Sequence, residues 1–221
     1  MGYNDPYIAT DRVYSKLSYS RVLKKEKVDW VLIDLGSHKG KFAESVSKHL
    51  NLIEVIFVDI NKAYNKILKT KFPNSTILNL AVTHLQKKKL YFIQHPTNPG
   101  QNCASSVQIS NLKIKTITLE SIIQKVKHKS NPIFLKMDTE SDEIAKLQSL
   151  SIQYFDRIYA ISLEVLPNTN ATSAIDRLND FIPLNFNFYR QVRYGLIKIN
   201  RQKPHWTDKL NLFQNLILIK K

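Results

Sequence analysis

Apolar runs of strand length alternate with helix patterns along this chain, and this alternation restricts the fold more than any other feature. The run "DWVLIDLG" (29–36) precedes a stretch in which apolar residues recur every four positions. The run "EVIFVDI" (54–60) is followed in the same way by a helix pattern over 61–72. Strands that alternate with helices form βαβ units, so the sequence predicts an α/β fold with a parallel sheet and right-handed crossovers.

The rest of the chain continues this order with a less regular middle. Further strands are predicted at 75–82, 88–95, 132–138, 157–165, 186–192 and 212–221, a short strand leading into a helix at 112–126, and helices at 142–150 and 173–182. A length of 221 residues suits one domain, and neither a repeat nor a long linker interrupts it. We predict an N-terminal extension over 1–28 and one domain over 29–221.

Composition excludes several classes of protein. The single cysteine, Cys103, excludes a disulfide framework and a cysteine-based zinc site. No apolar run approaches the roughly 20 residues that a membrane-spanning helix needs. The start of the chain lacks the apolar region of a secretory signal. We therefore expect a cytoplasmic protein without a membrane span.

The charge balance is the unusual bulk property. Lys and Arg number 33 against 18 Asp and Glu, which gives a net charge of +15. Such a field attracts polyanions and anionic substrates, so a nucleic acid or an anionic acceptor is one interpretation. Because lysine is spread through nearly every helix and loop, a solvated basic surface without a polyanionic partner is the other.

A glycine turn follows the first predicted strand. The segment Asp34-Leu35-Gly36-Ser37-His38-Lys39-Gly40 has the form D-x-G-x-x-x-G. In open parallel sheets, ligands bind beyond the carboxyl ends of the strands. Glycines allow positive φ and close approach of the backbone, and the following helix offers free N–H groups to an anion. The turn indicates a ligand site, although a strand–glycine–helix turn is also found as a purely structural feature.

An aspartate at the end of the second predicted strand indicates which class of ligand the turn binds. Asp59 lies where a carboxylate accepts hydrogen bonds from the hydroxyls of a ribose. The alternative is an aspartate that caps the following helix before Asn61. With Asp34 at the end of strand one, the pair favours a nucleoside that carries an amino-acid-like end. S-adenosylmethionine has this shape, and Asp34 is expected to face its ammonium group.

The third stretch with candidate chemistry is "FLKMDTESDEIAKLQSL" (134–150). Asp138 closes a buried strand and is expected to point into the same crevice, with Glu140 two residues later. Asp142 and Glu143 begin the next helix, where negative charge is favourable to the helix dipole, so their role is interpreted as structural. For Glu140, a capping role is the alternative to a role in the reaction.

The segments taken together resemble the FkbM-type S-adenosylmethionine-dependent methyltransferases. The matching segments are "VLIDLGSHKGKFA", "VIFVDIN", "STILNLAVT", "CASSV", "IKTITLESII", "IFLKMDTESDEIAKL" and "ISLEV", in the order of the family and over roughly residues 29–166. The resemblance implies a class I methyltransferase fold with a seven-stranded, mostly parallel sheet and helices on both faces. It also implies methyl transfer from S-adenosylmethionine to a hydroxyl oxygen of a sugar, glycan or other small molecule, with S-adenosylhomocysteine as product.

Residue roles follow from the same resemblance. Its implied cofactor site comprises Asp34, Gly36, Ser37, Gly40, Asp59, Ile60, Asn61 and Ala81. Asp138 and Glu140 are implied to lie at the reacting centre. Two positions depart from the family: Ser141 replaces the usual glycine of D-x-E-G, and His38 replaces the usual asparagine.

Methyl transfer to an alcohol benefits from a base, and the sequence offers three candidates. Asp138 or Glu140 is the first hypothesis, and His38 on the glycine turn is the second. A solvated loop histidine is the alternative interpretation of His38. A divalent metal at Asp138, Glu140 and Glu164 is conceivable, but carboxylates at strand ends are equally expected without a metal, and we do not favour it.

Two other functions stay open. The positive charge suits an RNA ribose 2′-O-methyltransferase, but the strand "RIYAISLEV" ends in Glu164 where the usual Lys-Asp-Lys-Glu tetrad of such enzymes has a lysine. A catalytically degenerate methyltransferase fold that serves as a binding protein is the other. The intact glycine turn and Asp59 count against it, and Ser141 leaves it open.

Overall fold

The strands form one large and two small sheets in the computed structural model of the chain. The structure describes residue 23 and the ranges 28–84, 90–93, 103–105, 113–139, 143–165, 171–192, 195–201 and 214–221. The strands are β1 (Trp30–Leu35), β2 (Leu52–Val58), β3 (Thr76–Leu78), β4 (Ala81–Val82), β5 (Leu90–Ile93), β6 (Cys103–Ser105), β7 (Lys113–Ile114), β8 (Thr116–Ile117), β9 (Ile133–Met137), β10 (Ile158–Val165), β11 (Phe186–Val192), β12 (Gly195–Ile199) and β13 (Gln214–Lys220).

The main sheet has the order β12-β11-β13-β10-β9-β1-β2-β3. Strands β1, β2, β3, β9 and β10 pair in parallel, whereas β13 is antiparallel to both of its neighbours and β12 is antiparallel to β11. The chain winds from β1 outward to β3, and the later strands continue on the other side of β1. The strand order therefore reverses between β1 and β9, where open α/β sheets bind their ligands.

Helices cover both faces of the main sheet. They are α1 (Lys41–Ser47), α2 (Asn65–Lys71), α3 (Leu119–Lys125), α4 (Glu143–Gln148) and α5 (Ala171–Asn179), with 3-10 turns at Lys62–Tyr64 and Ile152–Asp156. Buried residues of α3, α4 and α5 pack on one face, and those of α1 and α2 pack on the other with Leu23. This arrangement confirms the predicted α/β class. No helix within the described ranges is long and apolar enough to cross a bilayer.

The strand count differs from the prediction. The main sheet contains eight strands in the described part of the chain, not seven. The added strand is β12, in a segment for which no strand was predicted, and it forms by antiparallel pairing with β11. The predicted strand 75–82 divides into β3 and β4, and β4 leaves the main sheet to pair with β8. The predicted strand 88–95 forms β5, which pairs with β6 and β7 in the three-stranded sheet.

Candidate functional site

The candidate site lies at the carboxyl ends of β1, β2 and β9. Lys136 of β9 is directly beside Asp34 of β1 on one side and Ser162 of β10 on the other. Alternate residues of a strand share one face, so Asp138 follows Lys136 on the face that carries Asp34. Parallel register thus brings together residues that are about one hundred positions apart in the sequence.

The glycine turn after β1 has three residues in the left-handed region. These are Gly36 at φ 71°, His38 at φ 46° and Gly40 at φ 75°. A β-carbon on Gly36 would lie 1.6 Å from the backbone oxygen of Asp138, and one on Gly40 would lie 2.8 Å from a methyl group of Leu68. The absence of a side chain at Gly36 therefore lets the turn rest on the end of β9.

Asp59 connects the end of β2 to this turn. Its Oδ2 accepts a hydrogen bond of 2.7 Å from the backbone N–H of His38, and its Oδ1 accepts one of 2.8 Å from that of Asn61. The backbone N–H groups of Gly36 and Ser37 both donate to the carbonyl of Val58, at 2.9 and 3.3 Å. Burial raises the pKa of Asp59 above its ordinary value, although the two backbone hydrogen bonds oppose this.

The other predicted cofactor residues on this side lie in the same region or are tied to it. Ile60 and Asn61 follow Asp59 and are half-buried, and the side chain of Asn61 caps the 3-10 turn by accepting from the N–H of Ala63. The side chain of Asn79 donates to the carbonyl of Asp59 at 3.2 Å. Ala81, two residues after Asn79, is buried in β4. Asn61 thus has the capping role that the sequence offered for Asp59.

His38 is half-buried and does not have the environment of a solvated loop histidine. Its ring lies 4.3 Å from that of Tyr64, measured between centroids. Burial and the positive charges of Lys39, Lys136 and Lys41 lower the pKa of His38 to about 4. The imidazole is therefore neutral at physiological pH and able to accept a proton, but only as a weak base.

Lys136 is the buried cation at the centre of the site. Its Nζ donates to the carbonyls of Gly36 and Leu35 at 2.8 and 3.2 Å. The same atom lies 3.2 Å from Oδ2 of Asp138 and 3.3 Å from Oδ1 of Asp34. Burial would lower the pKa of Lys136, but the two carboxylates outweigh burial and raise it. Lys136 is therefore a fixed positive charge.

The two aspartates beside Lys136 differ in their access to solvent. Asp34 is completely buried, and burial raises its pKa even though Lys136 opposes the change. Among the described residues, its carboxylate has only the ion pair with Lys136 and no well-formed hydrogen bond. The expected contact between Asp34 and a ligand ammonium group stays a prediction, and Asp34 has no exposed surface in this structure.

Asp138 is accessible, with 38% of its side chain exposed. Its partial burial opposes ionisation, but Lys136 and a hydrogen bond with Glu164 lower its pKa below the ordinary value. Asp138 is thus an ionised carboxylate at the mouth of the crevice.

The segment after Asp138 is held by a buried ion pair. Glu143 accepts from both the N–H and the hydroxyl of Thr139, at 2.6 and 2.8 Å, and pairs with Lys146 at 2.6 Å. The structural role predicted for Glu143 agrees with these contacts. Glu140, Ser141 and Asp142 lie outside the described residues. Within the described ranges, no cluster of three or more His, Cys, Asp or Glu side chains is arranged to hold a metal.

Sequence reasoning missed Lys136, Asn79 and Tyr64 as residues of this region. For Lys136 a signal existed, since a lysine inside the apolar run "IFLKM" two residues before Asp138 must lie on the same face as that aspartate. A buried lysine needs a charged partner, so this position was a candidate for an ion pair. Asn79 and Tyr64 carry no comparable signal, because their neighbours are set by the fold.

Comparisons with known proteins found solved structures that are similar to this chain in shape. No family model and no curated protein matches the chain, so the FkbM-type assignment stays a prediction. Similar solved structures include a precorrin-6y C5,15-methyltransferase from Geobacter metallireducens GS-15, with 10% identity, TM-score 0.43 and coverage of 96% of this chain and 87% of that one.

Two structures from Thermotoga maritima are also similar. An S-adenosylmethionine-dependent O-methyltransferase has 11% identity and a TM-score of 0.41, over 100% of this chain and 66% of that one. A spermidine synthase has 13% identity and a TM-score of 0.47, over 95% and 60%. Since these TM-scores are below 0.5, neither family nor function follows from them.

Proposed function

We propose that this chain is an S-adenosylmethionine-dependent methyltransferase that methylates a hydroxyl oxygen of a sugar, glycan or other small molecule. The observation that supports this most is the convergence of three features where the strand order reverses. They are the glycine turn at Gly36, the strand-end carboxylate of Asp59 bonded to that turn, and the ionised carboxylate of Asp138.

Asp59 fits the ribose of a nucleoside cofactor. Each of its oxygens accepts one backbone N–H, and a carboxylate oxygen has two lone pairs, so each keeps the capacity to accept a hydroxyl. The two backbone bonds hold the carboxylate in a single orientation. Asn61 and Ile60, both half-buried beside it, would line the same part of the cofactor. Gly36, Ser37 and Gly40 would form the turn against its methionine part.

Charge also fits this cofactor. When both carboxylates are ionised, Asp34 and Asp138 together exceed Lys136 by one negative charge, which suits a ligand that carries a sulfonium and an ammonium group. Asp138 can meet the ligand directly because its side chain is partly exposed. Asp34 is fully buried, so its charge would act on the ligand without direct contact, through Lys136 and the glycine turn.

S-adenosylmethionine supplies an electrophilic methyl group when it is bound, and this chain supplies position and a proton acceptor. The acceptor hydroxyl gives its proton to a carboxylate oxygen of Asp138 as the new C–O bond forms and the S–C bond breaks. Because Lys136 stabilises the ionised form, Asp138 is a weak base that remains charged over a wide pH range. His38 and Glu140 remain the other candidates for this role.

Calorimetric titration with S-adenosylmethionine and S-adenosylhomocysteine tests the proposal. The wild-type chain is expected to bind both. In Asp59→Asn, the charged acceptor for the ribose is lost, and the affinity should fall at least about 10-fold, equivalent to roughly 1.4 kcal/mol. Asp29→Asn is the matched control, because Asp29 is an exposed carboxylate just before β1, at the amino ends of the parallel strands and away from the site. Absence of binding by the wild type would favour a non-enzymatic binding protein.

The acceptor is tested by transfer of a labelled methyl group to glycans and to RNA. Label in a glycan or small-molecule hydroxyl supports the proposal. Label in a ribose of RNA, together with RNA affinity that falls steeply with salt, would replace it by the 2′-O-methyltransferase alternative, for which the net charge of +15 is the only support.

A further inference from the structure

Lys136 is saturated with oxygen partners. Its Nζ has four oxygens within 3.3 Å, from the backbones of Gly36 and Leu35 and from the carboxylates of Asp138 and Asp34. An ammonium group has three hydrogens, so no donor is left for a ligand. The residue is also only 6% exposed. Lys136 therefore acts on the site through its neighbours and not by contact with a ligand.

We propose that Lys136 is a positioning residue of the cofactor site: its ammonium fixes the carbonyl of Gly36 and the carboxylates of Asp34 and Asp138 in one arrangement. This inference rests on the proposed function. It assigns a role to a residue that neither the glycine turn nor the strand-end aspartates reveal by themselves.

The geometry of the turn supports this role. The contact of Gly36 with the backbone of Asp138 is so close that a β-carbon does not fit between them. The N–H of Asp138 also donates to the carbonyl of Leu35 at 3.2 Å. Lys136 bonds to both sides of this junction, so the path of the turn and the position of the Asp138 carboxylate are set together.

The charges at the junction support it as well. Two carboxylates on one buried face repel each other, and burial favours their neutral forms. Lys136 counteracts both effects, since its charge opposes the rise in the pKa of Asp34 and lowers the pKa of Asp138. The other charged or titratable groups that act on this junction are Glu164 of β10, His38 of the turn and Asp59 at the end of β2.

The variant Lys136→Met distinguishes positioning from simple packing. Methionine is of similar size but has no charge, so Asp34 and Asp138 would take up protons at higher pH. We expect at least 10-fold weaker binding of S-adenosylmethionine at pH 7, and a shift of the acidic midpoint of affinity upward by one pH unit or more. Calorimetry between pH 5.5 and 8.5 measures both. Unchanged affinity, or uniform weakening with an unchanged pH profile, overturns the inference.

Lys220→Met is the matched control. Lys220 lies in β13 of the same sheet, donates to the carbonyls of Asp156 and Phe155 at 2.9 and 3.4 Å, and is 3.8 Å from the carboxylate of Asp156. These partners precede β10, at the amino ends of the parallel strands, whereas the site lies at their carboxyl ends. The control variant should bind with wild-type affinity and pH profile. If the wild type itself binds neither S-adenosylmethionine nor its product, the proposed function fails, and the inference fails with it.

A double variant covers the case in which Lys136→Met does not fold. Adding Asp138→Asn removes one carboxylate that the lost cation leaves unpaired, so the double variant should melt at a higher temperature than Lys136→Met. In the wild-type background, Asp138→Asn should lower the melting temperature. The same effect in both backgrounds would show that the two residues are not coupled, and it would overturn the inference.

Discussion

At the scale of single residues, the two glycines of the turn have the same backbone conformation and different neighbours. Gly36 and Gly40 have φ of 71° and 75°. Gly36 faces the backbone of Asp138, which cannot move without shifting β9, whereas Gly40 faces the end of the flexible Leu68 side chain. An L side chain would be strained at both positions, but only at Gly36 would it also clash with the backbone at the end of a neighbouring strand.

Alanine substitution separates these two effects. Gly36→Ala combines left-handed strain with a clash against backbone, so it should cost about 3 kcal/mol or more in free energy of unfolding and weaken cofactor binding. Gly40→Ala retains the strain but displaces only a methyl group, so about 1–2 kcal/mol is expected. Denaturant unfolding of both variants measures the difference. Equal losses would contradict the assigned contact with Asp138.

The histidine of the turn is a neutral group in this structure. Its pKa of about 4 follows from burial and from three nearby lysines. His38 therefore does not change charge near neutral pH, and its ring lies 4.3 Å from that of Tyr64. Between the two described candidates for a proton acceptor, Asp138 has the ionised form and the exposure that the role needs.

At the scale of elements, side chains anchor the start of α4 to the end of β9. Glu143 bonds the N–H and hydroxyl of Thr139 and pairs with Lys146, which also donates to the Thr139 hydroxyl. Glu143 and Lys146 are 5% and 3% exposed. The residue next to Asp138 is therefore held by a buried ion pair.

This anchor predicts a large effect of Glu143→Gln. The substitution removes the carboxylate that pairs with the buried ammonium of Lys146, which should cost about 3 kcal/mol, or roughly 10 °C in Tm. Glu44→Gln is the control, because Glu44 pairs with Lys71 at 2.6 Å with both side chains partly exposed. Such pairs contribute at most about 1 kcal/mol. Thermal melts that show similar shifts for the two variants would contradict a stabilising role of the buried pair.

At the scale of the whole molecule, the last strand holds the sheet together. β13 inserts between β10 and β11 and is antiparallel to both. Four consecutive residues of β13, from Leu216 to Ile219, are buried, and they alternate between the two faces of the sheet. The final residues of the chain thus link the parallel strands to the β11–β12 hairpin, and both hydrophobic clusters depend on them.

Deletion of residues 214–221 should therefore abolish folding. Four buried aliphatic side chains contribute roughly 8 kcal/mol, which is comparable to the total stability of a typical domain. Circular dichroism should show no cooperative thermal transition. Removal of Lys221 alone loses one backbone hydrogen bond, of 2.7 Å to Asn185, and should cost no more than about 1 kcal/mol. A cooperative transition in the longer deletion would show that β13 is dispensable.

The sequence by itself determined the α/β class, the cores of the long strands and the places where chemistry could occur. Strand β11 has the predicted limits, and β1, β2, β9 and β10 differ from theirs by at most two residues at either end. Apolar periodicity and strand-end aspartates are local patterns, so they can be recognised in the sequence without knowledge of the fold. For the same reason Asp34, Asp59 and Asp138 were recognised as candidates for one crevice.

Only the tertiary structure decided how these residues meet. The pairing of Lys136 with Asp34 depends on the register between β9 and β1, and the burial of Asp34 depends on packing from distant elements. The edge strand β12 and the departure of β4 from the main sheet depend equally on which partner strand is available. Register and partner choice join residues far apart in the chain, and no local pattern encodes them.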